Sequence, residues 1–259
     1  MEEKVKTIKK TVGKTSRKAF LKLIQERHSC RIPFDLQKPV PKAKLDLILE
    51  AARWTPTAHN MQNFEIIVVD DKATIGKIGL IPSGITPEFI KENYRQMSFS
   101  QEEFLRKKTG VLAEMFPPSW RRPEAAEGRV APEETRSHLW DMIHGGPVLL
   151  VVLYDGTRRA PASEHDALGF ISLGCLMENM WLMAQSLGLG FHIISALSSN
   201  MTGDRVEGEA RRILRFPDHL HIAFTCRVGY PRAKPGPYLR VRRDLGEFTH
   251  YNFYGRKGR

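Results

Sequence analysis

Four short stretches bring together residues that could do chemistry. Near the N-terminus, Arg27-His28-Ser29-Cys30-Arg31 sets two guanidiniums and a hydroxyl within five residues. Forked, charge-assisted donors of this kind suit a phosphate; the plainer alternative is a solvated helix C-terminus, where cations favour the dipole. Pro56-Thr57-Ala58-His59-Asn60-Met61-Gln62-Asn63 is dense in amides and hydroxyls. These could bind a ring edge or a polyhydroxylated chain, or simply cap a loop. Gly188-Leu189-Gly190-Phe191-His192-Ile193-Ile194-Ser195 offers close backbone approach to a ligand. It is not a dinucleotide fingerprint, because the third glycine is absent and the helix precedes it. Arg240-Val241-Arg242-Arg243 is again suited to a phosphate, or is a solvated basic face.

Other reactive residues carry less. His219 and His221 fall on one strand face with no third ligand in view, so no metal is expected. His59 could touch a ligand or only its own loop. Trp120-Arg121-Arg122 could gate a planar anion by stacking and cation–π contact, or be an exposed loop. Cys30, Cys175 and Cys226 are odd in number, far apart and without a CxxC pair. They read as free thiols of a reducing compartment, which predicts a cytoplasmic protein.

The elements that must position these residues follow from apolar spacing. A helix is predicted over 15–28, with Phe20, Leu23 and Ile24 inward, after a Lys-rich arm with weak helical spacing. Residues 32–41 carry three prolines and read as extended. Residues 42–54 form a clear helix with Leu45, Ile48, Leu49 and Ala52 on one stripe, stopped by Pro56. A β-branched run predicts a strand over 64–69, and a short helix follows over 73–80. Residues 82–135 are the least regular, with a charged helical pattern near 101–115 and a Pro-rich loop over 117–132. A stretch this long with little core signal reads as an insertion or lid. Further strands are predicted at 147–154, 191–194 and 220–228, and helices at 167–187 and 205–214, the last exposed and charged. The helix over 167–187 is apolar nearly all round, so it should be central or at a subunit interface. The tail after Pro235 is basic and aromatic and should wrap another surface. The order α–α–β–α–(lid)–β–α–β–α–β is not a clean βαβ series and predicts an α+β fold around one sheet.

The chain has 259 residues, 41% apolar and 27% charged, with a formal charge of +11. This is enough for a substantial core and excludes long disorder, collagen and a disulfide scaffold. Residues 1–22 hold eight Lys/Arg against two Glu, and 227–259 hold nine against two acids; 23–226 hold 23 basic and 25 acidic residues. The body is near neutral and the ends are basic, which argues against a nucleic-acid-binding face on the folded part. The N-terminus lacks an apolar signal-peptide core. The apolar stretch over 168–194 contains Glu178, Asn179 and Gln185 and reads as a buried helix and strand, not a membrane span.

Taken in order, RHSCR, LILEAARWTPTAHNMQNFEIIVV, SLGLGFHII, VGYP and RVRRDLGEF resemble the nitroreductase family of flavin enzymes over most of the chain, with the gap at 82–135. The resemblance implies an α+β fold with a central, mostly antiparallel sheet flanked by helices, in an intertwined homodimer with FMN in clefts at its interface. It implies residues 15–259 as a single domain behind the 1–14 arm, with the lid at 82–135 and the wrapping tail from 235. It implies Arg27, His28, Ser29 and Arg31 near the FMN phosphate and pyrimidine. Pro56, Thr57, Ala58, Asn60 and Gln62 match the family's loop around the flavin, partly contributed by the other subunit. Ile193, Ile194, Ser195 and Ala196 match the segment against the isoalloxazine, with a backbone N–H towards N5. Arg240 and Arg242 match the basic pair that closes on the phosphate. The family's proline after Gln62 is replaced here by Asn63, and residues 195–196 lack the Glu-Gly of some members. Which backbone group faces N5 is therefore left open.

The resemblance also implies the chemistry. NADH or NADPH reduces the flavin, leaves, and a nitroaromatic, quinone or similar planar acceptor takes its place in a ping-pong cycle. No acid–base side chain is required, and Arg31 is the candidate that stabilises negative charge at N1 and C2=O of reduced FMN. Two alternatives stand beside this. One keeps the flavin but changes the reaction to reductive dehalogenation or flavin breakdown. The other is a non-catalytic binder using the basic ends on nucleic acid or an acidic membrane.

Overall fold

The computed structural model describes residues 14–81, 98–115, 143–198, 204–233 and 239–258. In chain order its main elements are α1 (Lys14–Glu26), α2 (Lys42–Arg53), β1 (Phe64–Val69), α3 (Lys72–Gly79), β2 (Ser98–Phe99), α4 (Gln101–Lys107), β3 (Val111–Leu112), β4 (Val148–Asp155), α5 (Ala167–Ser186), β5 (Gly190–Ile194), α6 (Asp204–Leu214), β6 (Leu220–Gly229) and α7 (Leu245–Phe248). The chain divides into two compact units, Met1–Pro82 with Leu139–Pro235, and Ser83–His138 with Gly236–Arg259.

The first unit is built on a four-stranded sheet, order β1-β4-β6-β5, with every pairing antiparallel. The sheet is covered on both faces, which is why β4 (VLLVVLYD) reads as a continuous apolar run instead of alternating. Val148, Leu150 and Val152 point to α2 and α5, and pack with Leu45, Ile48, Ala52, Leu176 and Met180. Leu149, Val151 and Leu153 point the other way, to Ile75 and Ile78 of α3 and to Val206 and Ala210 of α6. Each fully buried side chain of this size contributes about 1.5–3 kcal/mol. Register shifts between Val152 and Leu153, where β6 carries Ala223 as an extra residue.

Helix α5 buries one stripe, with Leu173, Leu176, Met180 and Ala184 at helical spacing against the sheet. With its lead-in, Glu164–Ser186 is long and apolar enough to cross a membrane by length and composition. Its sheet-facing stripe is packed in the core of the first unit. Its N-terminal half leaves Leu168, Phe170 (55% exposed) and Ile171 (62%) uncovered.

Three expectations change. Phe20 and Ile24 of α1, expected to face inward, are exposed in this chain, and Leu23 is half-buried. The charged pattern near 101–115 is helical only to Lys107, because Lys108 takes a left-handed φ of 53°. A parallel β2–β3 pair follows at Val111–Leu112. Helix α6 is not simply exposed: Val206, Glu207 and Ala210 are buried, Glu207 between Arg211 (2.9 Å) and His221 (3.0 Å). In the second unit, Lys108 Nζ bridges Asp244 (2.6 Å) and Glu247 (3.0 Å), joining the insertion's helix to the tail. Residues 1–13 of the 1–14 arm, the loop over 117–132 and Trp120-Arg121-Arg122 lie outside the described residues.

Candidate functional site

Two of the four stretches lean on α5. Arg27 follows α1, its amide still bonded to Leu23 O at 3.1 Å. Its Nε lies 3.1 Å from Glu178 Oε1, and its guanidinium sits 4.2 Å from the Trp181 ring centroid. Trp181 in turn stacks on Phe191 and donates to His28 O at 3.2 Å. Arg27 is thus half-enclosed by α5, whereas Ser29 is half-buried and Arg31 is exposed.

At Cys30 the chain meets edge strand β5, and beyond Arg31 it runs beside the residues that follow β6. Cys30 N bonds Phe191 O at 2.9 Å, Asp35 N bonds Tyr230 O, and Arg232 N bonds Pro33 O. The Phe34 ring fills the space over Gly190 and Gly229; a Cβ on Gly190 would lie 2.6 Å from the ring and 2.8 Å from Cys30 Sγ. Gly190 therefore serves packing of Phe34, whereas Gly188 supplies the φ of 72° that ends α5. Burial pushes the Cys30 thiol up, although Arg227 opposes this. A buried thiol of raised pKa is not a nucleophile.

The second stretch follows α2, whose end is held by Asn179 of α5: its Nδ2 donates to Thr55 Oγ1 at 3.0 Å. Ala58 N donates to Ser172 Oγ of α5 at 3.2 Å. Between these pins the loop is self-supporting. Gln62 N donates to Thr57 Oγ1 (3.1 Å), Gln62 Nε2 to Asn60 Oδ1 (3.2 Å), and Asn60 N to Thr57 O (2.9 Å). His59, Asn60 and Gln62 all take positive φ. A left-handed residue other than glycine is strained by about 1–3 kcal/mol and persists where the fold over-determines it. The consequence is that Asn60 and Gln62 face solvent.

Ile193 and Ile194 end edge strand β5; Ile194 and Ala196 are buried and Ser195 is exposed. Arg240 and Arg242 lie in the second unit, exposed, with Arg242 Nη1 donating to Val241 O at 2.7 Å. A separate cleft of about 530 Å³ opens beside α5, lined by Tyr154, Phe170, Met177, His221 and Phe224 among others. None of the residues 27–31, 56–62 or 193–196 lines it.

Sequence reasoning missed Glu178, Trp181, Ser172 and Asn179, the α5 side chains that hold both stretches. The signal was present: polar residues interrupt an otherwise apolar helix. It also missed Arg227, whose partners are almost 200 residues away in sequence.

Comparison with known proteins bears on the same segments. The Nitroreductase family model matches residues 24–230. A protein of Thermus thermophilus described as NADH dehydrogenase is 26% identical over 209 residues, 78% of this chain and 83% of its own length. A nitroreductase of Bacteroides fragilis, crystallised with bound FMN, is 19% identical with a TM-score of 0.54, over 90% of this chain and 98% of its own. An iodotyrosine deiodinase bound to FMN and 3-iodo-L-tyrosine is 20% identical with a TM-score of 0.55, over 90% and 100% of the two chains.

Proposed function

The chain belongs to the nitroreductase family, and on that premise we propose that it is an FMN-dependent oxidoreductase passing electrons from NAD(P)H to a small planar acceptor. The observation that carries the reading is the family match over 24–230, which spans the 27–31, 56–62 and 193–196 stretches. The donor set suits the cofactor. An exposed guanidinium at Arg31 and the hydroxyl of Ser29 offer charge-assisted and neutral donors, and exposed Asn60 and Gln62 add amides at the other stretch. When bound, FMN would supply the redox chemistry. The chain's own part is to bind, orient and bias. Arg31 would stabilise negative charge on the reduced cofactor, and Asn60 and Gln62 would hydrogen-bond its ring or side chain. Donor and acceptor occupy the same place in turn, a ping-pong order.

The same reading includes a homodimer. Phe170 and Ile171 are more than half exposed on α5, beside the aromatic cleft. An apolar face of this kind is what a second copy covers. The likeness to a deiodinase favours a second reading, reductive dehalogenation on the same flavin.

The test is turnover of FMN-reconstituted protein with NADH and NADPH against nitroaromatic, quinone and halo-aromatic acceptors, with mass by light scattering. The proposal expects flavin retained on desalting, parallel-line kinetics and a dimer. Protein that does not bind added FMN overturns it; turnover confined to halo-aromatics selects the second reading.

A further inference from the structure

Strand β6 is a core strand, with Leu220, Ile222, Phe224, Cys226 and Val228 all buried. Within it sits Arg227, 3% exposed; among the described residues no other lysine or arginine is so deeply buried. Burial pulls its pKa below the usual arginine range, with the nearby Cys30 opposing. A buried cation is costly, and an apolar residue of similar volume commonly packs as well or better. A local rule broken in this way points to a task.

The geometry shows what the guanidinium holds. Arg227 Nη2 donates to Arg31 O at 2.9 Å and to Ile32 O at 3.2 Å. Its guanidinium carbon lies 5.0 Å from the Phe34 ring centroid. The stem fits because residue 146 is glycine: a Cβ there would lie 2.7 Å from Arg227 Cβ. The contacts are to carbonyls of the 31–32 backbone, so the clamp fixes the main chain and leaves the Arg31 side chain exposed.

We propose that Arg227 is a positioning residue of the flavin site: it clamps the Arg31–Ile32 backbone so that the Arg31 guanidinium is held where the reduced cofactor carries its charge. The inference rests on the FMN reading above. Arg227 acts through Arg31 and not by contact.

The experiment is the two-electron midpoint potential of bound FMN in the full-length protein, for wild type, Arg227→Lys, Arg227→Met, Arg31→Ala and the double variant Arg31→Ala/Arg227→Met, with unfolding temperature measured alongside. Arg227→Met should weaken the preference for reduced FMN about tenfold, a shift of about 30 mV to more negative potential. Arg31→Ala should shift it in the same direction, and the double variant no further, because the two act as one unit. Arg227→Lys keeps the charge but not the fork, so it should weaken the preference for reduced FMN about threefold, a shift of about 15 mV. It also serves if Arg227→Met does not fold. A lowered unfolding temperature with unchanged potential overturns the proposal in favour of a purely structural arginine, and additive shifts in the double variant overturn the coupling to Arg31. Wild type that retains no FMN overturns the functional reading itself, and this inference with it; a flavin-loaded chain whose potential ignores position 227 overturns only the inference.

Discussion

The turn at residues 27–34 and the loop at residues 56–63 both lean on α5, yet they are built in opposite ways. The turn is joined to the sheet. Backbone bonds run to Phe191, Gly145 and Tyr230, the Phe34 ring fills the space over Gly190 and Gly229, and Arg227 grips its carbonyls from within. The loop touches α5 at Thr55 and Ala58, is tied at its far end to Asp155 and Arg158, and is braced between by its own amides and hydroxyls, accepting left-handed φ at three residues. The difference teaches a division of labour. On the proposed function, the charge of Arg31 sits on a tightly held backbone, while the amides of Asn60 and Gln62 are presented by a compact turn with left-handed residues.

The largest effect should come from the turn's packing. Gly190→Ala places a Cβ 2.6 Å from the Phe34 ring and 2.8 Å from Cys30 Sγ. It should cost about 3 kcal/mol, the upper range for overpacking, read by denaturant unfolding; a cost under about 1 kcal/mol would mean the turn is looser than drawn. The loop should behave differently. Asn60→Ala and Asn60→Gly should each weaken FMN binding about tenfold, one lost hydrogen bond of about 1.4 kcal/mol. Glycine tolerates the φ of 53°, so only the alanine variant should also lose stability, by roughly 1 kcal/mol. Equal stability of the two variants would remove strain from the account.

Acid should separate the regions next. The loop's far end is bonded to Asp155, whose amide donates to Asn63 O at 3.0 Å. Burial works against the Asp155 carboxylate, but the Thr157 hydroxyl and amide and Arg158 outweigh it and hold its pKa below the usual range. A lowered folded pKa gives stability that is present above the unfolded value of about 3.9 and is lost as pH falls through the lower folded value. Asp155→Asn should therefore cost about 1 kcal/mol near neutrality, with the gap closing below about pH 4. A gap that does not narrow between about pH 5 and about pH 2 would assign the effect to another group. The smallest effect belongs to the second unit: Lys108→Met breaks the exposed bridge to Asp244 and Glu247, and should move the unfolding midpoint barely, and not at all in high salt.

Much of this was legible in the sequence where the signal is local. The β-branched run gave β1 at Phe64–Val69 without error, and apolar spacing with Pro56 as a stop placed α2 at Lys42–Arg53. The donor types of both stretches could be read directly. What joins them could not, because it is long-range. Arg227 looks from sequence like an outward residue in an apolar strand, and only the fold brings it beneath Arg31. Helix α6 looked exposed because Glu207 is charged; burial beside Arg211 and His221 is a property of the folded neighbourhood. The end of α4 at Lys107 depends on a left-handed lysine, a choice no propensity dictates.

The account turns on one flavin per chain that accepts electrons from a nicotinamide. The most direct measurement is an anaerobic titration of FMN-reconstituted, desalted protein with NADH and then NADPH, followed by a nitroaromatic acceptor, watched by flavin absorbance. The account predicts stoichiometric retention of FMN, bleaching by at least one nicotinamide, and full return of colour on adding the acceptor. Loss of flavin on desalting, or retained flavin that neither nicotinamide bleaches, would contradict it.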